Sequence, residues 1–395
     1  MTERPVDGYA LDMTSQRQWD VIIVGARVAG AGLAIRFARS GRSVLVFDRS
    51  PLGSDTLSSH VLAGYAMAQL DSLGLLDDIE ATDAPRLPIM RLDFDADTVT
   101  ITLQNQLGYV YSIRRTILDP ILVKHALAVG AVVRHKTTLR ELLFDEGRVI
   151  GVRLETDEGL GEEHRAPLVI GADGRHSAVG AAVRTESYEA VETPSCAMFA
   201  YFEGATTATD QSEGLHFASG ERADTIMGPS DGRLLCALLV VPVNEFESLR
   251  TRDATAIEAR LRSIPAAAAR LANAQRVSKW RHAGVREVDG RFRRSYGPGW
   301  ALVGDAGHKA HPAAGMGIGD ALRAGDLLRG AVEKAWKAGL ETDVYLPEYQ
   351  QQRDNEFREP YYQSFRLASI NPLNNGGIAN FTPRPATNTT AGGDT

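Results

Sequence analysis

Apolar positions along this chain fall into short, nearly uninterrupted runs separated by polar turns that carry glycine. Residues 20–24 and 44–47 read Asp-Val-Ile-Ile-Val and Val-Leu-Val-Phe, the β-branched content and length of fully buried parallel strands. Between them Gly25 opens a turn into a segment rich in small residues, and small residues at helical spacing predict a helix that can lie close against a sheet. Residues 60–70 predict a helix with Ser58 or Ser59 as N-cap, and 118–128 an amphipathic helix after the pair Arg114-Arg115. Alternation at 89–95 and 98–103 predicts two half-buried strands around an acidic turn. Short strands are expected at 131–135, 139–144 and 149–156, with Asp145-Glu146-Gly147 as a turn, and a buried strand at 168–171.

From about residue 185 to 288 the texture becomes antiparallel: strands at 196–203, 215–218, 223–227 and 234–241, then a helix at 254–262. A buried strand returns at 300–304, followed by helices at 317–338 and 346–368. Residues 371–395 are rich in Asn, Thr, Gly and Pro without apolar periodicity and read as a disordered tail, while 1–18 reads as a flexible lead-in. A β-sheet inserted into an α/β unit suggests that the insertion builds a substrate domain.

Composition changes this picture by exclusion. With 395 residues, 44% hydrophobic and 24% charged, the chain is long enough for two or three structural units. A net charge of −7 gives no cationic footprint for nucleic acid or an anionic membrane. No apolar run reaches a membrane span and the N-terminus has no apolar core, so neither a membrane partner nor a secretory signal is expected. Cys196 and Cys236 are too few for a disulfide framework and lack metal-ligand spacing, which fits a cytoplasmic setting and no metal.

Three strand-to-loop junctions carry chemistry. Gly25 permits a tight turn, Gly30 lets the helix approach the sheet, and the helix start offers free N–H groups to a pyrophosphate. Asp48 ends the second strand, where a carboxylate can accept from a ribose diol. The second glycine of the usual G-x-G-x-x-G pattern is Arg27 here, which must point away from a phosphate or hydrogen-bond it. The second junction is Asp173-Gly174, followed by Arg175, His176 and Ser177 at a helix start. The third is Gly304-Asp305, after which a glycine-rich loop containing His308, His311, Pro312, Gly315 and Gly317 enters a long helix.

These three ordered motifs resemble those of FAD-dependent group A flavoprotein monooxygenases of the 4-hydroxybenzoate hydroxylase type, with their relatives the geranylgeranyl reductases and flavin-dependent halogenases. The resemblance spans about residues 19–368, and GARVAG at 25–30 looks like a branch in which arginine replaces the second glycine. It implies an α/β fold with a Rossmann-like FAD-binding domain, discontinuous at 19–88, 106–184 and 289–345. An antiparallel substrate-binding sheet would come from 89–105 and 185–288, and a C-terminal helix from 346–370. By the same resemblance Gly25, Arg27, Ala29 and Gly30 surround the pyrophosphate, Asp48 with Arg49 beside it holds the adenosine ribose, and Arg115, Asp173, Gly304 and Asp305 contact FAD. The backbone of Gly315, Gly317 and Ile318 would face the flavin pyrimidine edge, where a helix N-terminus suits the charge of reduced flavin.

The implied chemistry is hydroxylation of an aromatic or polycyclic small molecule with O2, through a flavin hydroperoxide, NAD(P)H being a transient electron donor without its own domain. A C=C reductase of the geranylgeranyl reductase kind and a non-catalytic FAD-binding protein are the alternatives. Trp19, Trp280, Trp300 and Trp336 sit apart rather than in the W-x-W-x-I-P segment of halogenases, and Gly317-Ile318-Gly319 departs from the family's usual G-x-N. His60 is the candidate catalytic residue, either facing the flavin or acting on a phenol-like substrate, against a helix-start histidine bonding backbone. Tyr201, Phe202, His216, Phe217 and Met227 lie on the inserted strands, where each lines an aromatic pocket or fills a core; Tyr201, His216 and Met227, with Pro312, are the candidate pocket residues. His308 and His311 either line the flavin pocket or are solvated, and Arg175 either positions a phosphate or forms a salt bridge. The partners expected are a small molecule and O2, for a monomer or homodimer.

Overall fold

The computed structural model describes residues 17–56, 58, 61–94, 97–103, 110–156, 159, 161–205, 214–285 and 289–369. At its centre is a six-stranded sheet in the order Tyr296–Gly297, Trp300–Leu302, Val169–Gly171, Val21–Val24, Val44–Phe47, Val132–Arg134. All neighbours run parallel except the first pair, which is an antiparallel edge. Val21, Ile22, Ile23, Val44, Leu45 and Val46 are wholly buried, which is why these runs show no alternation: both faces of the sheet are covered. One face meets the helices Val28–Arg39, Arg115–Ala128 and Gly317–Lys337; the other meets a separate antiparallel sheet containing Thr137–Asp145 and Arg148–Thr156.

A second, eight-stranded sheet runs Gln275–Arg276, Ser195–Glu203, Leu234–Pro242, Ala223–Ser230, Gly214–Gly220, Ile89–Phe94, Asp97–Thr102, with Arg281–Ala283 also on Ser195–Glu203. The early strand Ile89–Phe94 joins it by pairing parallel to Gly214–Gly220, so the chain enters this sheet long before the antiparallel stretch begins. Helices Val243–Arg250, Ala254–Arg262 and Pro265–Arg270 cover one face, burying Phe246, Ile257, Leu261 and Ile264.

Several expectations shift. The helix expected at 60–70 is Gly64–Ser72, because Val61–Leu62 is drawn into antiparallel pairing with Val110–Ser112; its N-cap position is Ala63, not Ser58 or Ser59. The end of the lead-in is tied down: Arg17–Gln18 pairs with His164–Arg165. Ser187–Val191, Gly290–Arg293 and His308–Lys309 form a further three-stranded sheet that alternation did not reveal. Residues 1–16, His60 and the tail from 370 lie outside the described residues. Cys196 and Cys236 are both buried thiols. No described helix is long and apolar enough to cross a membrane, and no metal-binding cluster occurs among the described residues.

Candidate functional site

The glycine turn is fixed by backbone contact. Gly25 has φ +105°, and a Cβ there would stand 2.4 Å from the carbonyl oxygen of Ala172; one at Gly30 would stand 1.8 Å from the carbonyl of Gly25. No side chain fits at either position, so the helix starts flush against the sheet. Ala172 closes the contact by donating its N–H to Val24 O at 2.8 Å, which joins the second motif to the first. Asp48 reaches across from the neighbouring strand and accepts from Ala26 N (3.0 Å) and Ser50 N (2.8 Å). Arg49 is exposed beside it.

Arg27 points neither into the core nor away into bulk solvent. Its Nη2 donates to Ser54 Oγ at 2.9 Å, and its Nη1 lies 3.7 Å from Asp119 Oδ2. The same buried carboxylate accepts from Arg115 Nε at 2.8 Å and Nη2 at 3.1 Å. Two guanidiniums thus share one carboxylate at a helix N-terminus, an excess of positive charge, and Nη1 of Arg27 is buried without a hydrogen-bond partner. A buried, unspent donor of this kind calls for an acceptor.

The third motif is lodged against the first. Gly304 has φ +61°, and its missing Cβ would lie 3.0 Å from Ala29 Cβ and 3.5 Å from Ala321 Cβ, so the turn Gly304–Ala306 sits between two helices. Asp305 is open to solvent although protein crowds it, as at the floor of a crevice whose walls include Gly304, His308, Gly317, Asp320 and Phe357. That crowding pushes its carboxyl up, while Lys309, Arg115, Arg175 and Arg291 pull it down. Of these cations Lys309 and Arg291 pair with Asp289 and Arg115 with Asp119, so these three are held in place by carboxylates other than Asp305.

The glycine-rich loop ends the crevice. Gly315 is left-handed at φ +64°, and its missing Cβ would be 3.9 Å from Val61 Cγ1. At Gly317 a Cβ would meet nothing within 4 Å, so the helix Gly317–Lys337 begins facing open space, with Ile318 half-buried and Pro312 exposed. Gly319, which breaks the expected G-x-N pattern, has a packing reason: its Cβ would stand 2.6 Å from the Tyr65 ring.

Asp173 is committed elsewhere. Its carboxyl accepts from Ser177 Oγ (2.5 Å), Ala178 N (2.6 Å) and Val179 N (3.2 Å), capping the short helix Ala178–Ala182. Burial pushes its carboxyl up against these hydrogen bonds. The carboxyl thus caps the helix that follows the second motif. His176 is exposed and accepts from Arg175 Nε at 3.1 Å. His308 and His311 are buried rather than solvated: His308 packs at 4.4 Å from the Phe292 ring and 5.1 Å from Phe357, and His311 accepts the Ala313 N–H.

Register divides the expected pocket residues. Tyr201 pairs with Cys236, which lies opposite Gly228, whose missing Cβ would stand 2.8 Å from Leu215 Cδ2; this row shares one face with Phe199 and Phe217. Arg114 stands over the Tyr201 ring at 5.7 Å, joined to the sheet through Asp231, whose Oδ2 accepts its Nε at 2.6 Å. Burial pushes the Tyr201 hydroxyl up, and the Cys236 thiol up to about 12. Phe202 and Met227 occupy the opposite, helix-covered face with Ala237, and His216, paired with Met227, lies on that face too, one residue out of phase with Leu215 and Phe217. His216 meets Asp93 at 2.7 Å.

A parallel sheet with a glycine turn, two arginines at the helix start and two further strand-end motifs defines an FAD-dependent oxidoreductase with the fold of flavoprotein monooxygenases. The chain belongs to the FAD binding domain family, whose model matches residues 18–342. Digeranylgeranylglycerophospholipid reductase 2 of Methanopyrus kandleri is 27% identical over 376 residues, 89% of this chain and 86% of that protein. The myxobacterial chondrochloren halogenase CndH superposes with TM-score 0.78 at 20% identity, covering 92% of this chain and 89% of its own. PqsL of P. aeruginosa, solved with 2-aminobenzoylacetate, superposes with TM-score 0.75 at 19% identity, covering 92% and 100%.

Proposed function

We propose that this flavoprotein hydroxylates an apolar aromatic or polycyclic small molecule with NAD(P)H and O2. The observation that carries the reading is the apolar sheet face of Phe199, Tyr201, Leu215 and Phe217, linked through Val61 to the Gly315–Gly317 end of the crevice. Gly25 and Gly30 seat the helix start flush against the sheet and Gly304 seats the third turn on Ala29, so that backbone N–H groups line the path of the dinucleotide, and Arg27 with Arg115 binds its pyrophosphate. Asp48, whose oxygens each keep a lone pair beyond their backbone bonds, takes the ribose diol at the end where Arg49 stands. Asp305 holds the chain linking pyrophosphate to flavin, and the N–H groups of Gly317 and Ile318 face the pyrimidine edge. Bound FAD supplies the two-electron chemistry.

The sheet face then does what the protein must do: it excludes water and orients a flat apolar substrate, with the protonated Tyr201 hydroxyl and Arg114 as its polar handles. Substrate-stimulated NAD(P)H oxidation with matching O2 uptake by the yellow protein is the expected result. A second reading, reduction of an isoprenoid C=C bond, is favoured by the likeness to the Methanopyrus reductase across most of both chains. Anaerobic, flavin-dependent reduction of a prenyl substrate without O2 uptake would select it.

A further inference from the structure

The last helix, Leu346–Leu367, lies beyond the residues matched by the family model, yet it grips the Gly304-Asp305 segment along its length. Tyr349 Oη donates to Leu302 O at 2.7 Å just before the motif, and Ser364 Oγ accepts from His311 N at 3.0 Å just after it. Between these ties sits Arg353, 1% exposed. Its Nη1 donates to Gly307 O at 3.2 Å and to Ser295 Oγ; its Nη2 donates to Tyr188 Oη at 2.8 Å and Arg293 O at 3.2 Å; Asp354 Oδ1 accepts from its Nε at 2.9 Å. Every donor position of the guanidinium is spent on holding backbone or a fixed side chain.

Gly307 is the residue through which this hold reaches the crevice. Its N–H donates to Gly304 O at 2.9 Å, closing the turn that carries Asp305, while its own carbonyl accepts from Arg293 N and Arg353. Its missing Cβ would stand 2.5 Å from Ser295 Oγ and 3.1 Å from Arg353 Nη1, so the turn is seated on the guanidinium. Replacing a buried ion pair as a whole by apolar groups is often neutral, so stability alone does not call for an arginine at this position. We infer that Arg353 is a positioning residue, which sets the pose of Asp305 toward FAD through Gly307; this rests on the cofactor placement proposed above.

The test is a double-mutant cycle on the full-length protein, with FAD affinity of the apoprotein read by quenching of flavin fluorescence. Arg353→Lys and Asp305→Ala are each expected to weaken FAD binding about tenfold, and the double variant to bind no worse than the weaker single one. Arg353→Lys should also shift the visible absorption of the bound flavin, which loss of stability alone would not do. Arg358→Ala, on the same helix but paired at the surface with Glu189, should bind as the wild type does. If Arg353→Lys does not fold, Tyr188→Phe removes one support of the guanidinium and is expected to weaken binding about threefold in the same non-additive way. Additive losses, or wild-type affinity in the Arg353 or Tyr188 variant, overturn the positioning role while leaving the cofactor site intact. A wild-type protein that takes up no FAD overturns the cofactor reading itself.

Discussion

Arg27 Nη1 and Asp119 Oδ2 stand 3.7 Å apart, and the carboxylate is already clasped by Arg115. This spacing leaves the Arg27 guanidinium attracted and oriented but with a donor to spare. Arg27→Ala should therefore lower FAD affinity about tenfold, ~1.4 kcal/mol, the size of a charge-assisted hydrogen bond lost in partial contact with water. Titration of apoprotein with FAD measures it. Unchanged affinity would remove Arg27 from the phosphate site and leave Arg115 and the glycine turn as its support.

Gly25→Ala meets two obstacles at once, a φ of +105° and the Ala172 carbonyl 2.4 Å from the new methyl. Ala172 cannot yield readily, because it directly follows the strand Val169–Gly171, which pairs with Val21–Val24, and its N–H is tied to Val24 O. The expected loss is about 3 kcal/mol, visible as a lower melting temperature of the apoprotein before any FAD is added. Gly41→Ala, also left-handed but with nothing within 4 Å, should lose much less.

Those two glycine sites mark what could be read in the residues and what could not. The βαβ start, the three motifs and nearly all strands of the central sheet were legible because buried parallel strands and their turns are local in sequence. Asp119 had a faint local signal, its i,i+4 spacing from Arg115, whereas the bond from Arg27 to Ser54 had none. Arg353 sits at the four-residue spacing of Tyr349, Phe357 and Tyr361, an arginine on an apolar stripe, and that was its available signal. The two faces of the eight-stranded sheet were not legible, since a strand buried on both sides shows no alternation and register depends on partners far along the chain.

That register makes a paired prediction. Tyr201→Phe removes the hydroxyl on the face toward Arg114 and should raise KM for the aromatic substrate several-fold with little change in melting temperature. Met227→Leu, on the helix-covered face with Ala237, should leave KM unchanged and cost less than about 1.5 kcal/mol of stability. Substrate-stimulated NAD(P)H oxidation and thermal melts of both variants separate the two faces. A KM effect in Met227→Leu and none in Tyr201→Phe would reverse the assignment.

His311 makes stability depend on acidity. Burial pushes its imidazole down to about 3, with Lys309 acting in the same sense. Its Nδ1 accepts the Ala313 N–H at 3.2 Å, which needs the neutral ring. In the unfolded chain the same ring takes a proton near pH 6.5. The unfolded state therefore binds more protons as pH falls below about 6.5, and the folded state loses up to ~1.4 kcal/mol per pH unit from this group until the folded ring itself titrates near 3. Above pH 6.5 both states hold it neutral and its contribution is flat. His311→Asn keeps an acceptor for the Ala313 N–H but has no proton to gain, so its melting temperature should fall less steeply than that of the wild type between pH 6.5 and about 4. Parallel curves for the two proteins across that window would mean that His311 is protonated in the fold, and that the Ala313 N–H is held by some other acceptor.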